Sequence, residues 1–171
     1  KDARAQLESV PATHSDYLSA QHEAGEIYLK ELGQPVLAAR AFGNVTNDPK
    51  VKMFANKQYI GSHINEGIAL YAVAEKAQDA EIAKAHLLKA IEVLDRVPPH
   101  LRFVAKDEFN SASHNIGFYR AMARHKLYEL TQDAGMLSAA FAAWREYVEG
   151  IAKSVPAEGD LASFVEQANV Y

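Results

Sequence analysis

The sequence predicts an all-α protein of three tandem αα-hairpins, with a short capping helix at each terminus. Apolar residues recur at three- and four-residue steps along nearly the whole chain. No segment alternates with the two-residue period of a half-buried strand. A chain of 171 residues, 49% of them apolar, suits one domain over residues 1–171 and can bury a substantial core.

Turn-forming residues separate the periodic segments and set the predicted helix ends. Asp79 precedes one clear apolar stripe and is suited to cap a helix, and Pro98 follows that stripe as a stop signal. Similar breaks fall at Pro11 and at residues 32–35, 46–49, 77–79, 97–100, 132–135 and 154–160. The resulting helices span residues 2–9, 14–32, 35–45, 49–77, 79–96, 100–131, 134–151 and 158–169.

Three glycines recur at one register in the long helices. Gly25, Gly67 and Gly117 are separated by steps of 42 and 50 residues. A repeat of this length is typical of stacked helix pairs, because one pair alone cannot bury both of its faces. An aromatic residue lies eight positions before each glycine, on nearly the same helix face, and is expected to fill the space between helix pairs. Asn lies two positions before the second and third glycines. These residues are Tyr17, Tyr59, Phe109, Asn65 and Asn115.

The glycines predict close contacts between paired helices. A glycine inside a helix costs about 1 kcal/mol relative to alanine, so three copies at one register indicate a compensating gain. Close approach of the following helix would supply that gain. Each following helix carries a small, a large and another apolar residue at steps of four and three. These sets are Ala38/Phe42/Val45, Ala83/Leu87/Ala90 and Ala140/Trp144/Tyr147.

This pattern resembles the tetratricopeptide (TPR) repeat, which pairs a glycine-bearing first helix with a second helix carrying Ala and a large aromatic. The first hairpin fits best, with Gly25, Tyr28, Ala38, Phe42 and Pro49. The sequence departs from the family in the distance from the glycine to the alanine, which is 13, 16 and 23 residues in the three copies. The resemblance covers most of the chain.

The resemblance implies a non-enzymatic scaffold that binds a protein or peptide segment in a groove lined by the first helix of each hairpin. The side chains of this lining are imidazole, aromatic and aliphatic groups with one carboxylate. They favour a hydrophobic or aromatic segment over a phosphate or carboxylate ligand. The alternative is that Ile64, Ile68 and Phe118 belong to the core of a closed bundle. The implied groove residues are His22, Glu26, Ile64, Ile68, Tyr71, His114 and Phe118.

Two His/Glu pairs provide a rival hypothesis, a small helical protein that binds a metal or cofactor. His22 and Glu26 are spaced i, i+4, and His63 and Glu66 are spaced i, i+3, so each pair shares a helix face. Di-iron bundles use Glu-x-x-His, the reverse order. The second pair does not recur in the other copies, whereas the glycine does. We therefore predict packing rather than metal binding, and no cofactor.

Composition and missing motifs exclude several other classes. The chain has no Cys, and no Gly-x-Ser-x-Gly elbow, phosphate loop or HExxH motif, so we expect no enzyme activity. A net charge of −4 with both signs scattered argues against nucleic-acid binding. No apolar run is long enough for a transmembrane helix. The start at Lys1 suggests a processed, exported bacterial protein, and assembly with copies of itself is a further alternative.

Overall fold

The computed structural model describes residues 3–49, 57–98, 106–157, 159 and 161–170. Every regular element in these ranges is helical, which confirms the all-α prediction. Within them, no helix combines the length and apolar character needed to cross a membrane. We number the helices α1 (Ala3–Glu8), α2 (Tyr17–Glu26, extended by a π-helical Ile27–Glu31), α3 (Pro35–Thr46), α4 (Lys57–Lys76), α5 (Ala80–Asp95), α6 (Lys106–Thr131), α7 (Ala134–Arg145, extended by a π-helical Glu146–Ile151 and by Ala152–Ser154) and α8 (Leu161–Ala168).

The predicted helix ends agree with the structure to within a few residues where both can be compared. Asp79 caps α5, because its carboxylate accepts hydrogen bonds from the backbone N–H groups of Glu81 (2.8 Å) and Ile82 (3.0 Å). Asp133 caps α7 in the same way. The predicted starts of the helices over 49–77 and 100–131 involve residues 50–56 and 99–105, which lie outside the described ranges.

The helices pack in chain order from α1 to α7, each against the next. The first helices of the predicted pairs also contact one another, α2 with α4 and α4 with α6. The last helix, α8, packs on α6, where the ring of Phe164 stacks on that of Phe118 at a centroid distance of 4.3 Å. The helices α2, α4 and α6 therefore form a continuous row, and that row carries the cavity described below.

The three repeated glycines lie where helices touch, as predicted. A Cβ at Gly25 would lie 2.6 Å from Cε1 of Phe42, and one at Gly67 would lie 2.4 Å from Cγ of Leu94. A Cβ at Gly117 would lie 2.5 Å from Cδ1 of Ile151. Real Cβ contacts are longer than this, so each glycine permits an approach that alanine would block. These close contacts between helices provide the gain that was expected to offset the cost of a glycine inside a helix.

The predicted sets of the second helices supply the partners of the first and third glycines. Phe42 contacts Gly25, and Tyr147, together with Ile151, contacts Gly117. Gly67 instead contacts Leu94, which lies outside the second set, Ala83/Leu87/Ala90. Apolar residues recur at every turn of the second helices, so the sequence pattern left their register against the glycines open.

The repeated aromatics do not share one environment. Tyr59 is buried with its ring against that of His63, at a centroid distance of 4.3 Å. Tyr17 is half-buried. Phe109 is exposed, so the prediction that each aromatic fills the space between helix pairs is wrong for the third copy.

Candidate functional site

A cavity of about 590 Å³ opens on the row formed by α2, α4 and α6. This volume lies in the range of ligand-binding pockets, about 300–1,000 Å³. Ile60, Ile64 and Ala112 belong to the buried core and form an apolar floor, beside Ile68 and Leu29. The polar lining residues are His22, Glu26, Lys30, Asn65, Glu108, Ser111 and Asn115.

Glu26 is the centre of a hydrogen-bonded group on the α2 side of the cavity. Its Oε1 accepts from Nζ of Lys30 at 2.7 Å and from Nδ2 of Asn65 at 3.3 Å. Partial burial would raise the pKa of Glu26, but the hydrogen bond and charge of Lys30 outweigh it and hold the pKa below its ordinary value. The carboxylate is therefore ionised at neutral pH, and it holds the Asn65 amide in place.

His22 stands beside Glu26 and is largely uncharged at neutral pH. Burial lowers the pKa of its imidazole, and the nearby Glu26 carboxylate only partly opposes that effect. Its Nδ1 lies 2.8 Å from Oγ of Ser62 on α4, and its ring meets that of Phe42 edge to face. These contacts fix the imidazole in the wall between α2 and α4.

Two asparagines line the cavity, Asn65 from α4 and Asn115 from α6. Nδ2 of Asn115 donates to the backbone O of Ser111 at 2.9 Å, and Nδ2 of Asn65 donates to Glu26. Both residues stand two positions before a repeated glycine. This recurrence was visible in the sequence and is the signal that identifies them, although it did not place them in the predicted groove. The sequence also gave no indication of Lys30, Ile60, Glu108 or Ala112.

Four of the seven residues predicted for the groove line the cavity together. They are His22, Glu26, Ile64 and Ile68. Tyr71 lies farther along α4, buried against the ring of Tyr119, and its hydroxyl donates to Glu75 at 2.9 Å. It therefore lies in the helix interface, outside the cavity.

His114 and Phe118 lie in the core on the far side of α6. Nδ1 of His114 lies 3.0 Å from the Tyr147 hydroxyl, and its Nε2 lies 3.0 Å from the backbone O of Val155. Burial raises the pKa of Tyr147 to about 12, so its hydroxyl stays protonated at neutral pH. Phe118 packs among aromatic rings from α7 and α8. Phe118 is therefore a core residue, as the alternative of a closed bundle predicts. The residues of α6 that line the cavity include Ser111 and Asn115.

The four residues of the metal-binding hypothesis do not converge. His63 is buried, with Nδ1 3.1 Å from the backbone O of Tyr59. Glu66 faces α3, where Oε2 accepts a hydrogen bond from Oγ1 of Thr46 at 2.5 Å. His22 and Glu26 remain in the cavity wall. In the part of the chain that the structure describes, no three His, Asp or Glu side chains form a group able to hold a metal ion.

Glu66 is a buried carboxyl in the interface between α3 and α4. Only 4% of the residue is exposed. Burial raises its pKa, although the Thr46 hydrogen bond and the charges of Lys89 and Arg96 act in the opposite direction. The folded state therefore favours the protonated form, which links stability to pH.

We expect Glu66→Gln to stabilise the fold at neutral pH and to have little effect below about pH 4, near the ordinary pKa of glutamate. The folded wild type retains the Glu66 proton at pH values where the unfolded chain has released it. Wild-type stability therefore falls as pH rises from the ordinary pKa through the raised one. Glutamine keeps an acceptor for Thr46 without a charge.

Urea unfolding of both proteins across this pH range measures the effect. Glu81→Gln, at an exposed position, controls for the loss of one charge from the chain. A variant that is less stable than wild type by the same amount at every pH would show that the buried carboxyl does not titrate as inferred.

Comparison with known proteins returned no significant match to a family model, a curated protein or a solved structure. The geometry of the cavity and the repeat pattern are therefore the basis for assigning a function to this chain.

Proposed function

We propose that this chain is a non-enzymatic, TPR-like helical repeat domain that binds a protein or peptide segment in the cavity on α2, α4 and α6. The observation that carries the proposal is the position of the cavity, which opens on the first helix of all three predicted pairs. The packing of α2 on α4 and of α4 on α6 supports a tandem array, as do the three helix contacts made at glycines.

The chemistry of the lining suits an extended segment of polypeptide. The apolar floor can bury a side chain, and burial of apolar surface contributes about 25 cal/mol per Å². Asn65 and Asn115 each carry an amide donor and a carbonyl acceptor, the same groups that a peptide backbone offers. The amide nitrogen of Asn65 donates to Glu26 and that of Asn115 donates to Ser111, and in this proposal the carbonyl Oδ1 of each residue accepts from a backbone N–H of the bound segment.

We expect Ile68→Lys to weaken peptide binding by about tenfold or more, because it puts a charge on the apolar floor of the cavity. The probe is a displayed library of short random peptides selected on the immobilised wild type. Fluorescence anisotropy then gives the affinity of an enriched peptide for each protein.

Ile82→Lys is the matched control, since Ile82 lies on α5 outside the cavity and is 53% exposed. It should bind the enriched peptide as the wild type does, and circular dichroism should show both variants folded. Failure to enrich any peptide over a mock selection would overturn the proposed function. Equal binding by the Ile68→Lys variant would place the binding site elsewhere.

A further inference from the structure

The imidazole of His22 connects a buried hydroxyl with the cavity. Its Nδ1 lies 2.8 Å from Oγ of Ser62, a fully buried residue of α4. In the ranges that the structure describes, its Nε2 has no hydrogen-bond partner, yet this atom is not enclosed. Because His22 lines the cavity, Nε2 is the ring nitrogen that a bound molecule can reach.

The surroundings of Ser62 decide which ring nitrogen carries the proton. Among the described residues, His22 is the one hydrogen-bond partner of the Ser62 hydroxyl. If the hydroxyl accepted a hydrogen bond from an N–H at Nδ1, its own proton would lack an acceptor in a fully buried site, which is unfavourable. The hydroxyl therefore donates to Nδ1, and the neutral imidazole carries its proton on Nε2.

The sequence repeat indicates that the Ser62 hydroxyl is not required for helix packing. Ser62 corresponds to Ala20 and Ala112 in the first and third copies, each five residues before the repeated glycine. All three side chains are buried, so alanine suffices for the contact between helices in two of the copies. Serine stands at this position on α4, where it meets His22. The hydroxyl therefore serves the imidazole.

We infer that Nε2–H of His22 donates a hydrogen bond to a backbone carbonyl of the bound peptide segment. This inference rests on the proposed function and assigns His22 as a residue that determines specificity. A ligand that covers the cavity removes water from Nε2–H, so a ligand without an acceptor at that point leaves a buried donor unpaired. A peptide backbone offers a carbonyl at every residue, and in the proposed function Asn65 and Asn115 supply acceptors for its N–H groups.

Nitrogen NMR on protein with isotope-labelled histidine tests the donor directly. In the free wild type, at a pH where His22 is neutral, we expect the chemical shift of a protonated nitrogen at Nε2 and of an unprotonated nitrogen at Nδ1. Addition of a peptide enriched on the immobilised wild type should protect the Nε2 proton from exchange with water. A proton on Nδ1, or an Nε2 proton that exchanges equally fast with and without the peptide, would overturn the inference.

Peptides in which one backbone amide at a time is replaced by an ester locate the carbonyl, because an ester carbonyl is a weaker acceptor. We expect one such replacement to lower the affinity for wild type by about two- to tenfold, the usual value of one hydrogen bond. That effect should disappear in the double variant His22→Phe with Ser62→Ala, which keeps a ring beside Phe42 and leaves no hydroxyl without a partner. Fluorescence anisotropy gives each affinity.

Ser113→Ala is the matched control, since it removes another buried hydroxyl, on α6. It should show the same ester effect as wild type, and circular dichroism should show both variant proteins folded. An enriched peptide whose esters bind wild type and the double variant in the same ratios would overturn the inference while the proposed function stands. Enrichment of no peptide over a mock selection would overturn the proposed function itself.

Discussion

Gly67→Leu is expected to unfold the protein or to lower its free energy of unfolding by at least about 3 kcal/mol, the upper end of the usual cost of overpacking a core. The Cβ of the new side chain would lie 2.4 Å from Cγ of Leu94, and the rest of it would extend into the contact between α4 and α5. Leu94 is fully buried, so it has no open space to move into. The two helices must therefore separate.

Thermal and urea unfolding followed by circular dichroism measure this effect. For a chain of this size, a loss of about 3 kcal/mol corresponds to a fall in melting temperature of roughly 6–12 °C. Gly150→Leu is the matched control, since no described atom outside its own neighbourhood lies within 4 Å of a Cβ at that position. It should melt at the wild-type temperature or above. A Gly67→Leu variant as stable as wild type would contradict the contact between the helices.

Phe118→Ala is expected to cost about 3–5 kcal/mol, as usual for removing a buried aromatic ring. Its ring stacks on Phe164 at 4.3 Å and meets Trp144 and Tyr147 edge to face. The substitution would leave a cavity between α6, α7 and α8, which explains why the largest effect falls on stability. Urea unfolding measures the loss.

Phe141→Ala is the control for this substitution, because Phe141 lies on α7 and is 67% exposed. Its stability should stay within about 0.5 kcal/mol of wild type. A double-mutant cycle with Phe164→Ala should give a coupling of about 0.5–1.5 kcal/mol for the stacked pair. If Phe118→Ala weakened peptide binding with no loss of stability, Phe118 would belong to the binding surface after all.

Local interactions explain the predictions that succeeded. The apolar period of the helices and the cap at Asp79 depend on neighbouring residues alone, so the sequence displays them directly. The repeated glycines were identified because a glycine inside a helix is unfavourable unless something compensates. Each of these features has a local cost or gain that a single sequence reveals.

Two residues predicted for the groove, His114 and Phe118, lie outside the cavity because of the position of α6 in the row. In the sequence repeat, His114 and Phe118 of α6 correspond to Ile64 and Ile68 of α4. The prediction therefore placed all four residues in the groove. In the structure, α8 lies against α6, and its Phe164 stacks on Phe118. The sequence repeat shows which positions correspond between helices. It does not show that α8 packs on α6 and buries the face that carries Phe118.

The sequence by itself determined the helical class, the approximate helix ends and the positions at which helices approach closely, because these follow from periodicity, capping and the absence of a side chain. Tertiary structure alone decided which apolar residue meets each glycine, which face of α6 is buried and how Asn65 and Asn115 come to share one cavity. These outcomes depend on contacts between residues far apart in the chain, where several registers bury similar apolar surface and only the packing of whole side chains distinguishes them.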